Sequence, residues 1–124
     1  NGDGHLDLAV TNFDFGTVSV LQGKGNGSFL PKQDFPTSFG PRSVAMGDLD
    51  GDGLPDLAVA NSTSGTVSVL LGWGDGSFLT KQDFPTGSGP ASVAIRNVNG
   101  DRLLDLAVAN SDDGTVSVLL NVSQ

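Results

Sequence analysis

The sequence predicts an all-β protein made of β-propeller blades, each of four antiparallel strands and repeating every 49 residues. Three observations carry this expectation. DLAV begins at Asp7, Asp56 and Asp105, and GTVSVL begins at Gly16, Gly65 and Gly114, with 49 residues between copies in both series. The 14 acidic residues are all aspartate, which serves turns and metal loops better than helices. With 18 glycines and 6 prolines among 124 residues, no window offers three uninterrupted helical turns.

The central copy justifies the elements in order. Residues 43–47 (SVAMG) read as a short strand entering an aspartate-rich loop, and residues 56–60 (DLAVA) as the strand leaving it. A polar turn from Asn61 to Gly65 leads into residues 66–71 (TVSVLL). Here Val67, Val69 and Leu71 face one way and Ser68 and Leu70 the other. The glycine-rich turn Gly72 to Gly76 then precedes residues 77–84 (SFLTKQDF), a polar run suited to an exposed outer strand. KQDFPT recurs at Lys32 and Lys81, and GPxSVA at Gly40 and Gly89, so the phase holds throughout.

Small residues on the second strand (Ala58, Ala60, Ala107 and Ala109) suit closely stacked sheets. A repeated β-sandwich is disfavoured, because such domains need about 100 residues each. The expected division is a partial blade over 1–42, a full blade over 43–91, and over 92–124 a blade lacking its outer strand. That is too little to close a ring, since propellers take about four to eight blades. The chain is therefore expected to be a C-terminal piece of a longer propeller. The rival is a short unit completed by its neighbours, self-associating through blade edges as a ring or filament.

The loop Asp48 to Asp56 carries the chemistry. Asp48, Asp50, Asp52 and Asp56 supply carboxylates at loop positions 1, 3, 5 and 9, and the backbone carbonyl of Leu54 adds a fifth oxygen. An all-oxygen set of this kind suits calcium, which takes six to eight oxygens in forgiving geometry. Zinc or copper would call for histidine or cysteine, and magnesium for fewer carboxylates and more water. The alternative is an aspartate-rich turn with no ion, in which four close carboxylates repel one another.

The third loop places Asn97, Asn99, Asp101, the carbonyl of Leu103 and Asp105 at the same positions. Two carboxylates have become amides, and Arg102 replaces a glycine at a turn, so weaker binding is expected there. The first loop contributes Asn1, Asp3, the carbonyl of His5 and Asp7, with no counterpart of Asp48. Up to three calcium sites result, the middle one strongest.

Formal net charge is −8, and eight of the fourteen aspartates lie in these loops. Three divalent ions would leave about −2, so the acidity points to metal and argues against nucleic acid. There is no cysteine, and no apolar run is long enough to span a membrane.

Catalysis finds little material. Glutamate, tyrosine and cysteine are absent, the single histidine lies in a metal loop, and the aspartates are mostly committed as ligands. No enzyme activity is expected. Trp73, on the turn Gly72-Trp73-Gly74, is a candidate for stacking on a sugar ring or a neighbouring chain. Phe29, Phe35, Phe78 and Phe84 repeat in phase and read as core. Phe13, Phe15 and Phe39 have no aromatic counterparts and are candidates for a special contact. Asn26, Asn61 and Asn121 each begin a glycosylation sequon.

The stretches FGPRSVAMGDLDGDGLPDLAVAN (39–61) and NSTSGTVSVLLGWGDGSF (61–78) resemble the FG-GAP/VCBS-type repeat, also found in the α-subunit propeller of integrins. The resemblance covers essentially the whole chain. It implies calcium-binding blades in a secreted or cell-surface protein used for adhesion, for glycan or protein binding, or for scaffolding. The alternative function is a structural repeat of a self-assembling extracellular fibril or coat. The resemblance names no ligand, since one fold hosts many functions.

Overall fold

The computed structural model describes residues 7–101 and 103–121. Ten strands and no helix occur among them, arranged as three antiparallel sheets. The first sheet holds β1 (Leu8–Asn12), β2 (Thr17–Leu21) and β3 (Gln33–Pro36) in that order. The second holds β4 (Pro41–Gly47), β5 (Asp56–Asn61), β6 (Thr66–Leu70) and β7 (Gln82–Pro85). The third holds β8 (Pro90–Arg96), β9 (Asp105–Asn110) and β10 (Thr115–Leu119). Within each sheet the paired strands are adjacent in sequence, as hairpins require.

Strand order is as expected; β4 starts two residues earlier, at Pro41, β6 ends one earlier, at Leu70, and one boundary differs more. The fourth strand of the central sheet was expected from residue 77, but ladder pairing covers only Gln82–Pro85. Phe78 makes a single isolated bridge to Gly72. Between that bridge and the Val69–Gln82 pair, residues 70–71 lie opposite residues 79–81. The extra residue is a bulge that breaks the ladder, and the same offset separates the Gly23–Phe29 bridge from the Val20–Gln33 pair.

The period-two alternation sorts side chains between two interfaces. Val18 and Val20 of the first sheet pack with Leu57, Val59 and Leu70 of the second. Ala58, Ala60 and Val67 on the opposite face pack with Val93, Ile95, Leu106 and Val108 of the third. All six residues of β5 are buried in consequence. The sheets approach closely at their first strands: a Cβ on Gly47 would lie 3.0 Å from the Ile95 side chain. Burying a valine or leucine side chain stabilises by about 1.5–3 kcal/mol, so these two interfaces are the main driving force for folding.

A polar ladder runs through each sheet. Asn61 is fully buried, and its amide donates to Thr66 Oγ1 at 3.2 Å and to Ser68 Oγ at 2.8 Å. Ser68 Oγ then donates to Asp83 Oδ1 at 2.6 Å on β7. Ser38, in the connection from the first sheet, donates to the other oxygen of Asp83 at 2.6 Å, and Lys81 pairs with the same carboxylate. Asn12, Thr17, Ser19, Asp34 and Lys32 repeat the arrangement in the first sheet. The sequon at Asn61 is therefore closed to glycosylation in the folded chain, because its amide is buried and committed. Asn26 is exposed.

Of the four in-phase phenylalanines, Phe35 and Phe78 meet edge-to-face with ring centroids 5.1 Å apart and close the first interface. Phe29 and Phe84 are 36% and 38% exposed, which corrects the expectation that all four are core. Phe15 and Phe39 are exposed, and Phe13 lies under the Arg42 guanidinium at 5.5 Å from its ring centroid.

Two outcomes follow. Leu57→Ala should lower stability in chemical denaturation by about 2–5 kcal/mol, while Val116→Ala, at an exposed β10 site, should stay within about 0.5 kcal/mol. The second concerns acid. Burial pushes the Asp83 carboxyl up, but hydrogen bonds from Lys81, Ser38 and Ser68 outweigh it and hold it below its ordinary value of 3.8. Its contribution is therefore present above the unfolded value and is lost as pH falls through the lowered folded one. Urea melts of wild type and Asp83→Asn should differ near neutrality and converge in strong acid.

Candidate metal centre

The loop between β4 and β5 is shaped by its own carboxylates. Asp48 Oδ1 accepts from the Gly51 amide at 2.8 Å and the Asp52 amide at 3.1 Å, and its Oδ2 accepts from Gly53 at 2.8 Å. Asp52 Oδ1 accepts from the Leu54 amide at 2.9 Å, and Asp50 Oδ1 accepts from the Asp52 amide at 3.3 Å. Gly51 and Gly53 take φ of 79° and 82°, the left-handed region that lets the chain curl around its side chains. Oxygens of Asp48, Asp50, Asp52 and Asp56 all lie within 4.8 Å of one another. Among the described residues no histidine or cysteine joins the group.

The four carboxylates are not equivalent. Asp56 opens β5 and is fully buried. Its Oδ2 accepts from the Leu49 amide and its Oδ1 from the Gly72 amide, each at 2.8 Å. One side chain thus ties the loop, the second strand and the turn after the third strand. Gly72 must lack a Cβ, since one built there would lie 2.2 Å from the Pro55 carbonyl oxygen. Burial raises the Asp56 carboxyl above its ordinary value, against the lowering effect of the Gly72 and Leu49 amides. Asp50 is also raised, first by desolvation and then by its hydrogen bond to Asp52 and the charges of Asp56 and Asp52. In both, burial is the first cause, and the neighbouring carboxylates add to it.

The copies keep the same framework. In the third loop Asn97 Oδ1 accepts from Gly100 at 2.9 Å, and Asp101 Oδ1 accepts from Leu103 at 3.0 Å. Asp105 accepts from the Val98 amide at 3.1 Å and the Asn121 amide at 2.7 Å, reproducing the bridge of Asp56. Asn99 is exposed beside them, and Arg102 lies outside the described residues. In the first loop Asp7 accepts from the Gly23 amide at 2.8 Å, while Asn1, Asp3 and His5 lie outside the described residues. Among the described residues, only the middle loop brings three or more metal-binding acidic side chains together.

The loop spacing pointed to a ligand set but not to the second task of Asp56. Its signal is nonetheless present: of the two loop positions that are aspartate in all three copies, those of Asp52 and Asp56, only that of Asp56 stands at the head of a strand. In the presence of chelator, Asp56→Ala should cost about 2–4 kcal/mol, because two amides lose a charged acceptor. Asp52→Ala, which serves only its own turn, should cost below about 1 kcal/mol under the same conditions. Equal losses in urea melts would refute this division of labour.

Comparison with known proteins agrees with the repeat. A family model described as FG-GAP-like repeat matches residues 1–59 and again 48–108. No curated protein and no solved structure matches the chain. The two overlapping matches cover most of the sequence, with the carboxylate loop common to both, and the chain belongs to the FG-GAP-like repeat family.

Proposed function

We propose that this chain is a non-enzymatic, calcium-stabilised module of an extracellular β-propeller that serves adhesion through glycan or protein binding. The observation that carries the reading is the set of four carboxylates within 4.8 Å of one another. Their donor chemistry fits calcium: all oxygen, high charge, and a loop able to adjust its spacing. Asp48, Asp50, Asp52 and Asp56 would hold the ion with the carbonyl of Leu54. A bound calcium would place positive charge among these four carboxylates. Asn97, Asn99, Asp101, Leu103 and Asp105 would form a weaker site of lower charge. Asn1, Asp3, His5 and Asp7 would form part of a third.

Extracellular calcium, near millimolar, saturates even modest sites, which fits a chain without cysteine. Repeats of this family are typically non-catalytic structural modules and usually extracellular, and both tendencies support the reading. Among the described residues no helix is long and apolar enough to cross a membrane. Trp73, 63% exposed on its turn, offers an aromatic face to a sugar or protein partner. A second reading, a repeat of a self-assembling fibril or coat, is favoured by one observation: Val116 and Val118 on β10 are 67% and 53% exposed.

Calcium should raise the melting temperature in thermal unfolding, by the equivalent of about 2.7 kcal/mol at a hundred times the dissociation constant. Chelator should reverse the shift, magnesium should give less, and Asp52→Ala should lose most of it. A wild-type melt indifferent to calcium sinks the metal reading. Glycan-array binding that needs both calcium and Trp73 would support adhesion, and calcium-dependent polymerisation without any ligand would favour the second reading.

A further inference from the structure

Asn26 is followed by Gly27, and both stand exposed on the connection between β2 and β3. An asparagine side chain is an electrophile at its carbonyl carbon, and the next residue's backbone nitrogen is the nearest nucleophile. Glycine at that next position brings no Cβ to hinder the approach. Two conditions of structure then favour reaction: an unengaged nitrogen, and donors on the carbonyl oxygen where negative charge develops.

Both hold at this turn. Asn26 Oδ1 accepts from the Ser28 amide at 3.0 Å and from Ser28 Oγ at 2.6 Å. The Gly27 amide has no acceptor among the described residues. The central copy, packed against a sheet on each side, has the same turn with Asp75 in place of Asn26. Asp75 is exposed, and its Oδ1 accepts from the Ser77 amide and hydroxyl at 2.9 and 2.6 Å. The Gly76 amide is likewise without an acceptor among the described residues, so a neighbouring sheet leaves these features in place.

The chain holds its own contrast. Asn99-Gly100 is the same dipeptide and is also exposed. There the Gly100 amide donates to Asn97 Oδ1 at 2.9 Å, and among the described residues no donor reaches the Asn99 side chain.

We propose that Asn26 is a site of spontaneous deamidation in the folded protein, and that the loop around Asn99 holds the same reaction back there. The Gly27 nitrogen, having lost its proton to hydroxide, bonds to the Asn26 side-chain carbonyl carbon. The bond from that carbon to the side-chain nitrogen breaks, and ammonia leaves. Water then opens the cyclic imide at either carbonyl, giving aspartate or isoaspartate; nothing is oxidised or reduced. The aspartate product fits the turn, since it recreates the arrangement of Asp75. The isoaspartate product adds a methylene to the main chain and takes the acceptor away from Ser28. Either product removes the amide nitrogen that a glycan needs, so deamidation and glycosylation exclude one another at this residue.

The test uses the unglycosylated 124-residue chain, aged in mildly alkaline buffer, digested, and followed by peptide mass spectrometry at both sites. In the folded chain Asn26 should convert about fivefold or more faster than Asn99, the rate equivalent of about 1 kcal/mol for the Gly100–Asn97 hydrogen bond. Urea should bring the two rates together. Ser28→Ala should slow Asn26 by a similar factor in the folded chain and leave it unchanged in urea. An intact Asn26, an Asn99 that reacts as fast, or a rate ratio unchanged by urea would each overturn the proposal. So would a folded-state rate at Asn26 indifferent to Ser28→Ala.

Discussion

A carboxylate at the head of the second strand organises each repeat, and in the second and third sheets it is buried. Asp56 and Asp105 each reach two backbone amides, one in the preceding loop and one past the following hairpin, and Asp7 reaches the equivalent amide at Gly23. A charged acceptor forms stronger hydrogen bonds than a neutral one, and in a buried position water does not compete for them. The loop's curl, the strand's start and the turn near Gly72 are therefore set together. Because the same side chain lies among the loop carboxylates, the geometry of the candidate metal centre is anchored in the folded sheet.

Packing builds outward from that anchor. β5 is buried on both faces because alternate residues serve two interfaces, Leu57 and Val59 one, Ala58 and Ala60 the other. The small alanines and Gly47 allow the second and third sheets to approach, while larger residues fill the first interface. The polar ladder from Asn61 through Ser68 to Asp83 then ties the outer strand to the interior. It lets a strand with few apolar residues stay in place, and through Ser38 it links successive sheets.

Much of this was legible in the residues. The 49-residue period, the all-β class and the order of strands came from strings that recur without insertion. The carboxylate cluster was legible because loop spacing over nine residues is a local matter. The division of the phenylalanines was not. Phe35 and Phe84 have identical sequence surroundings, and only the presence of Phe78 against one of them makes it core. The short fourth strand was missed for a related reason, since a bulge is a property of two strands in register.

The sequence by itself thus determined the repeat, the strand-forming runs and the set of oxygens offered to an ion, because these depend on neighbours along the chain. Tertiary structure decided which of equivalent residues are buried and which carboxylate became a tie between segments. It also closed the sequon at Asn61, whose amide is consumed by Thr66 and Ser68. Those outcomes depend on partners 5 to 16 residues away or on the next sheet. Burial and hydrogen bonding are settled by what the fold brings alongside, and equivalent residues part ways wherever their neighbours differ.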